Sequence, residues 1–143
     1  MENSDDFIVI TVSGPDAPGI VSSITSILSE NAVKIIDIEQ IVIRKLILLS
    51  MMLDLRESKG GQVSLLKDLL LEAKRLNVEL DFKIASYDEH LQHDNNFMYA
   101  VTCLGEKITA QVVAQISNAI YSENVNIERI TQLSQGELSC IEM

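Results

Sequence analysis

Two hydrophobic rhythms alternate along the chain. "FIVITVSG" (Phe7 to Gly14) is short, β-branched and closed by turn residues, which is the pattern of a strand. The run after it places Ala17, Ile20, Val21, Ile24, Ile27 and Leu28 on one stripe, with serines and Thr25 opposite, and that is helical period. "AVKIIDIEQIVI" (Ala32 to Ile43) and "LILLSMMLDL" (Leu46 to Leu55) read as two further strands, with Arg44 and Lys45 at a hairpin turn between them. The polar stretch "RESKGGQ" reads as a loop. Gly60 and Gly61 follow no strand and open no phosphate-binding pattern. A second amphipathic helix then carries Leu66, Leu69, Leu70, Ala73 and Leu76 on one face, and "VELDFKIASY" closes as a fourth strand. Strand, helix, strand, strand, helix, strand is the ferredoxin-like order of an α+β fold.

After Tyr87 the polar run "DEHLQHDNN" marks a linker, and the pattern then restarts. "FMYAVTCLG" (Phe97 to Gly105) echoes the first strand. "TAQVVAQISNAIY" places Val112, Val113, Ile116, Ala119 and Ile120 on one helical face. "SENVNIERITQL" (Ser122 to Leu133) echoes "SENAVKIIDIEQI" (Ser29 to Ile41), and "ELSCIEM" is a third strand entered through Gln135 and Gly136. The organisation expected is a first domain over residues 1–87, a linker over 88–96, and a second copy over 97–143 truncated after its third strand. In a ferredoxin-like sheet the fourth strand lies beside the first. Its absence predicts a bare apolar edge at Phe97 to Cys103, so either the chain is a fragment of a longer protein or another chain supplies the missing edge.

Composition narrows the partners. The chain has 143 residues, a net charge of −10, 47% apolar and only 4% aromatic residues, so its core is aliphatic. The acidic balance argues against nucleic acid or an anionic membrane surface. The longest apolar run, Leu46 to Leu53, is far short of a bilayer span, and "MENSDD" lacks the features of a signal peptide. A cytoplasmic location follows. Cys103 and Cys140 make neither a disulfide framework nor a metal motif, so free thiols are expected on adjacent strands. His90 and His93 have a spacing that could grip a metal, but a solvated linker is the better reading, and no cofactor is expected.

The segment between the first strand and the first helix, "GPDAPGI", is unusually constrained. Gly14 lets the chain turn off the strand, Pro15 and Pro18 stiffen the loop, and Asp16 or Ala17 sits near the N-cap. A helix start carries free donors and partial positive charge, which could hold a small carboxylate. Simple capping alone would explain Asp16 and Pro18, and on spacing it is the commoner reading, since caps outnumber ligand sites. A Cβ at Gly19 is expected to intrude where a ligand carboxylate or a neighbouring unit approaches the backbone.

A strand ending in Gly-x-Asp-x-Pro-Gly-Ile and running into a helix resembles the ACT domain, a small amino-acid-sensing module of metabolic enzymes. With "DIEQIVIR" after it, and "LGEKITA", "NIERITQLS" and "SCIEM" in the second copy, the chain is similar to the tandem ACT region at the N-terminus of the long bacterial phosphoserine phosphatases. The resemblance implies two βαββαβ units that bind serine or a similar amino acid between the loop and a neighbouring unit. Its site positions fall here on Asp16, Ala17, Pro18, Gly19 and Ile20, and on Asp37, Glu39 and Gln40 of the second strand. In the second copy the loop is Gly105, Glu106, Lys107 and Ile108, without the prolines or the aspartate, and Gly105 is the position carried over.

No Asp-x-Asp motif of the corresponding phosphatase domain occurs, so the chain itself is expected to be a regulatory module rather than an enzyme. A free-standing tandem ACT regulator of the glycine-cleavage-repressor type, acting through a protein partner, is the alternative. An RNA-recognition module of the same topology would need exposed aromatics and basic flanks that are missing. The surplus of apolar residues in "IVI" and "LILLSMML" and the bare edge of the second copy both predict a homodimer, preferably by edge pairing of strands.

Overall fold

The computed structural model describes residues 6–85 and 98–143, in two compact units that divide between His93 and Asp94. The histidine pair and the whole of the expected linker lie outside the described residues. Unit 1 runs β1 (Phe7–Pro15), α1 (Ile20–Glu30), β2 (Lys34–Ile43), β3 (Leu46–Asp54), α2 (Gly61–Arg75) and β4 (Glu79–Ala85). Its antiparallel sheet has the order β2-β3-β1-β4, the ferredoxin-like arrangement the periodicity predicts. The β2–β3 hairpin turns at Arg44 and Lys45, both at positive φ, and Ile43 faces Leu46 across it. Two left-handed residues match the right-handed twist of the flanking strands.

The core lies between the sheet and its two helices. Ile8, Ile10 and Val12 of β1 and Ile47, Leu49, Met51 and Leu53 of β3 point to the helix side and are fully buried. Ile20, Ile24 and Leu28 of α1 cover them, with Leu65, Leu66, Leu69 and Ala73 of α2. The expected α1 stripe holds except for Ala17, which is exposed and precedes the helix. The α2 stripe is rotated from the expectation: Leu65 is in the core, whereas Leu70 is 44% exposed. In the run "LLKDLLLEA" adjacent leucines compete for each inward position, and the angle at which the helix docks decides between them.

Away from the helices the sheet is uncovered. Ile41 and Ile43 of β2 and Leu46 and Leu48 of β3 share that face and are 42–55% exposed, so the surplus apolar residues of these strands remain at the surface.

At the other end of the sheet Asp54 is buried with a partner. The Arg56 guanidinium donates to both carboxylate oxygens, Nε to Oδ1 at 3.0 Å and Nη2 to Oδ2 at 2.7 Å, and the Arg56 N–H donates to Oδ1 at 3.0 Å. The same guanidinium lies over the Phe7 ring, 5.1 Å from its centre. These hydrogen bonds hold the Asp54 carboxyl below the usual carboxylate range, against the opposing effect of burial. A depressed folded-state pKa stabilises the fold fully above the unfolded value, near 3.9, and that stability is lost as pH falls through the folded value. Because Arg56 is 44% exposed, the pair contributes only about 1–2 kcal/mol at neutral pH. Asp54→Asn should therefore lower the urea midpoint at pH 7, and the difference from the parent should shrink as pH falls below the unfolded carboxylate value near 3.9. A difference that stays constant through acid pH would assign the loss to packing instead.

Unit 2 runs β5 (Thr102–Gly105), α3 (Ala110–Ser122), β6 (Thr131–Ser134) and β7 (Ser139–Glu142), with sheet order β5-β7-β6. The Thr109 hydroxyl caps α3 by accepting from the Val112 N–H. Val112, Val113, Ile116 and Ile120 are half-buried as the stripe predicts, but Ala119 is exposed. The first strand lies further along the chain than expected. Among the described residues it begins at Thr102, with Val101 and Met143 extending its ladder, and Phe97 lies outside them. The first part of that run is apolar without alternation, so its sequence fixes no strand phase. Cys103 faces Ile141 and Cys140 faces Leu104 across the β5–β7 ladder, which puts the two thiols on opposite sides of adjacent strands. This register excludes a bond between them.

Candidate functional site

The β1–α1 loop is held at its entry and open at its exit. β1 stays in the ladder through Pro15, which faces Leu46, and the Asp16 N–H donates to the Lys45 carbonyl at 2.8 Å. The loop therefore runs beside the Arg44–Lys45 turn. Asp16, Ala17, Pro18 and Gly19 are all exposed. The N-cap is Gly19, not Asp16 or Ala17, because the strand continues to Pro15 and the helix begins only at Ile20. Gly19 stands at φ +94°, a left-handed conformation that strains any residue with a Cβ. A Cβ there would meet nothing within 4 Å in the chain, so within the chain this glycine is required by its backbone conformation rather than by crowding.

The N–H of Ser23 closes the first helical hydrogen bond to the Gly19 carbonyl at 2.9 Å, and no side chain caps the helix. The N–H groups of Ile20, Val21 and Ser22 thus have no helical acceptor and face the open end of α1. The Ile20 side chain is 1% exposed, so this residue can offer a ligand only its backbone.

The second-strand positions lie apart from the loop within one unit. Asp37 is level with Met52 and Val9, far along the sheet from Pro15, and its Oδ1 accepts from the Ile38 N–H. Gln40 is level with Leu49 and Val12 and occupies the opposite face of β2 from Asp37. Glu39 faces Ser50. All three are exposed on the edge strand. Gly105 ends β5 in unit 2.

A cleft of about 650 Å³ adjoins the end of β1. Leu46, Leu48 and Leu70 give it an apolar wall, and Ser13, Lys74, Asn77 and Glu79 bring polar groups to it. Lys74 is in the last turn of α2, and Asn77 follows the helix at φ +57°. The Asn77 N–H bonds the Lys74 carbonyl and the Val78 N–H bonds the Ala73 carbonyl, which closes the helix end. On the far side of that helix end, Glu72 accepts from Arg75, and this bond holds its carboxyl below the usual range. Sequence reasoning missed Lys74, Asn77 and Glu79. The signal was present as basic residues followed by Asn between an apolar helix and a strand, which marks a helix end returning to the sheet. An ammonium and a carboxylate beside an apolar wall are complementary to a small zwitterion.

The model of the ACT domain family matches residues 6–83. The chain belongs to the ACT domain family. The match covers every strand and helix described in unit 1 except the last two residues of β4. The ACT chain is 34% identical over 99 residues to UPF0237 protein MMP0657 of Methanococcus maripaludis, covering 69% of this chain and 96% of that protein. It is 26% identical over 136 residues to the phosphoserine phosphatase SerB2 of Mycobacterium tuberculosis, covering 95% of this chain but only 33% of the relative. Among solved structures, one provisionally assigned as a glycine cleavage system transcriptional repressor superposes with a TM-score of 0.65 at 17% identity, over 95% of this chain and 77% of that one. That likeness establishes the fold. No helix among the described residues is long and apolar enough to cross a membrane.

Proposed function

We propose that this ACT chain is an amino-acid-responsive regulatory module whose ligand is serine or a similar small amino acid. The observation that carries the reading is the start of α1, which opens at a left-handed glycine, without a side-chain cap, behind four exposed loop residues. Free N–H groups there suit a carboxylate, and Asp16 suits an ammonium group. The Lys74–Glu79 cleft beside the end of β1 supports the same ligand class. Asp37 and Gln40 contribute only if a second unit brings its exposed β2 to the loop, so a homodimer belongs to this reading, and Gly105 is the equivalent loop position of the second copy. A cytoplasmic location suits a sensor of a metabolite.

Likeness to SerB2 over 95% of the chain supports a role beside a phosphoserine phosphatase activity. Likeness to MMP0657 over 96% of that protein favours the second reading, a free-standing regulator that acts through a protein partner. An Asp-x-Asp motif on the same polypeptide would decide for the first.

The test is a titration of backbone amide NMR shifts with serine, glycine and alanine. Shifts confined to residues 14–23, with saturation at millimolar serine or below, are expected. An unmoved loop at ten millimolar of each amino acid would remove the proposal.

A further inference from the structure

The sheet of unit 1 has a notch at one end. β1 pairs with β3 through Pro15, which faces Leu46, but its pairing with β4 stops at Ser13, opposite Glu79. Gly14 and Pro15 therefore have a strand on one side only, because Asn77 and Val78 are still closing the end of α2 there. The Asp16 N–H donates to the Lys45 carbonyl on the β3 side. By the alternation of an antiparallel ladder, Pro15 turns its carbonyl the other way, into the notch. Proline has no N–H, so the notch receives a main-chain acceptor without a main-chain donor. No turn or loop N–H among the described residues bonds to that carbonyl. The cleft of about 650 Å³ occupies this notch. It lies at the opposite end of the sheet from Phe7 and Ala85, and described residues make all of its walls.

We propose that this cleft is a second amino-acid site, selective for a large apolar side chain of leucine or phenylalanine size. Among the described residues the ion pairs are Arg56–Asp54 and Arg75–Glu72, which leaves the charges of Lys74 and Glu79 at the cleft unpaired. The ligand's ammonium group bonds the Pro15 carbonyl and the Glu79 carboxylate, and its carboxylate meets the Lys74 ammonium. Its side chain covers Leu46, Leu48 and Leu70, which are 42–55% exposed without it. Apolar walls with a few convergent polar groups are the usual make-up of a small-molecule site. Serine would satisfy the charges but fill little of the volume and leave the three leucines in water. The start of α1 is a different kind of place, since it offers N–H donors and no apolar wall. The inference adds a site to the proposed function and does not depend on serine binding the loop.

The test titrates leucine, phenylalanine and serine into the full chain and follows backbone amide NMR shifts. Leucine and phenylalanine should move the amides of Lys74, Asn77, Val78 and Leu80 and saturate in the millimolar range, while serine leaves these amides in place. 4-Methylpentanoate lacks the ammonium group and 3-methylbutylamine lacks the carboxylate, and each should bind about tenfold more weakly than leucine. Lys74→Gln and Glu79→Gln change exposed side chains, so the circular dichroism spectrum should stay as it is. Each should weaken leucine about tenfold and leave any serine shifts at residues 20–23 unaltered. Cleft amides unmoved by ten millimolar leucine, equal shifts with serine, analogues that bind as well as leucine, or variants that bind it undiminished would each overturn the inference. A loop that ignores serine while the cleft takes leucine supports it and removes only the proposed function.

Discussion

Ile10→Ala should cost unit 1 about 3–4 kcal/mol, the largest loss expected from any single truncation in the chain. Ile10 is fully buried at the middle of β1, the strand that pairs on both sides, with Met51 and Phe82 as its neighbours across the sheet. Shortening it removes transfer energy and leaves a cavity that two strands and two helices hold open. The measurement is a urea midpoint followed by far-ultraviolet circular dichroism. A loss below about 1 kcal/mol would mean that the helices collapse onto the space and that the core is loosely packed.

Gly14→Ala should cost about 2–3 kcal/mol, which is large for adding a single methyl. Gly14 stands at φ +154°, and a Cβ there would sit 3.1 Å from the Val78 Cα and 3.3 Å from the Asn77 carbonyl oxygen. The obstacle is backbone, so it cannot swing aside. The clash separates the β1 end from the α2–β4 connection, which are opposite sides of the cleft with Lys74 and Glu79. Thermal unfolding reads the stability, and the serine titration on the folded fraction reads the cleft. An unchanged melting temperature would show that the connection can move outward freely.

These two positions also show what the sequence made legible and where it stopped. Ile10 belongs to a β-branched run legible as a strand, but the run does not alternate, and pairing with β3 and β4 under the helices decides that Ile10 faces the core. The Arg44–Lys45 hairpin was legible because two apolar runs flank a pair of residues too polar for either. The helix start was not, since Asp16, Pro18 and Gly19 each fit a different capping position. Tertiary pairing of Pro15 with Leu46 settled it by extending the strand. The role of Gly14 is divided the same way: a turn was visible in its sequence context, but its close approach to Val78 depends on a residue far along the chain. Lys74 and Glu79 escaped for that reason also. Each looks like an ordinary surface charge until the helix end returns to the sheet. In unit 2 the echo of the first copy correctly gave the order of elements, but its weakly alternating strands gave poor boundaries.

Phe7 and Ala85 are directly opposed in the β1–β4 ladder. The two ends of the first ACT unit therefore leave it side by side, about 5 Å apart. A module closed in this way can be spliced into a host loop with little loop-closure cost, because its insertion barely widens the gap it fills. Mechanically it is a zipper held at the slider. Tension between its ends loads one cross-strand pair at a time, beginning with Phe7 and Ala85, and peels β4 from β1 before it reaches the helices.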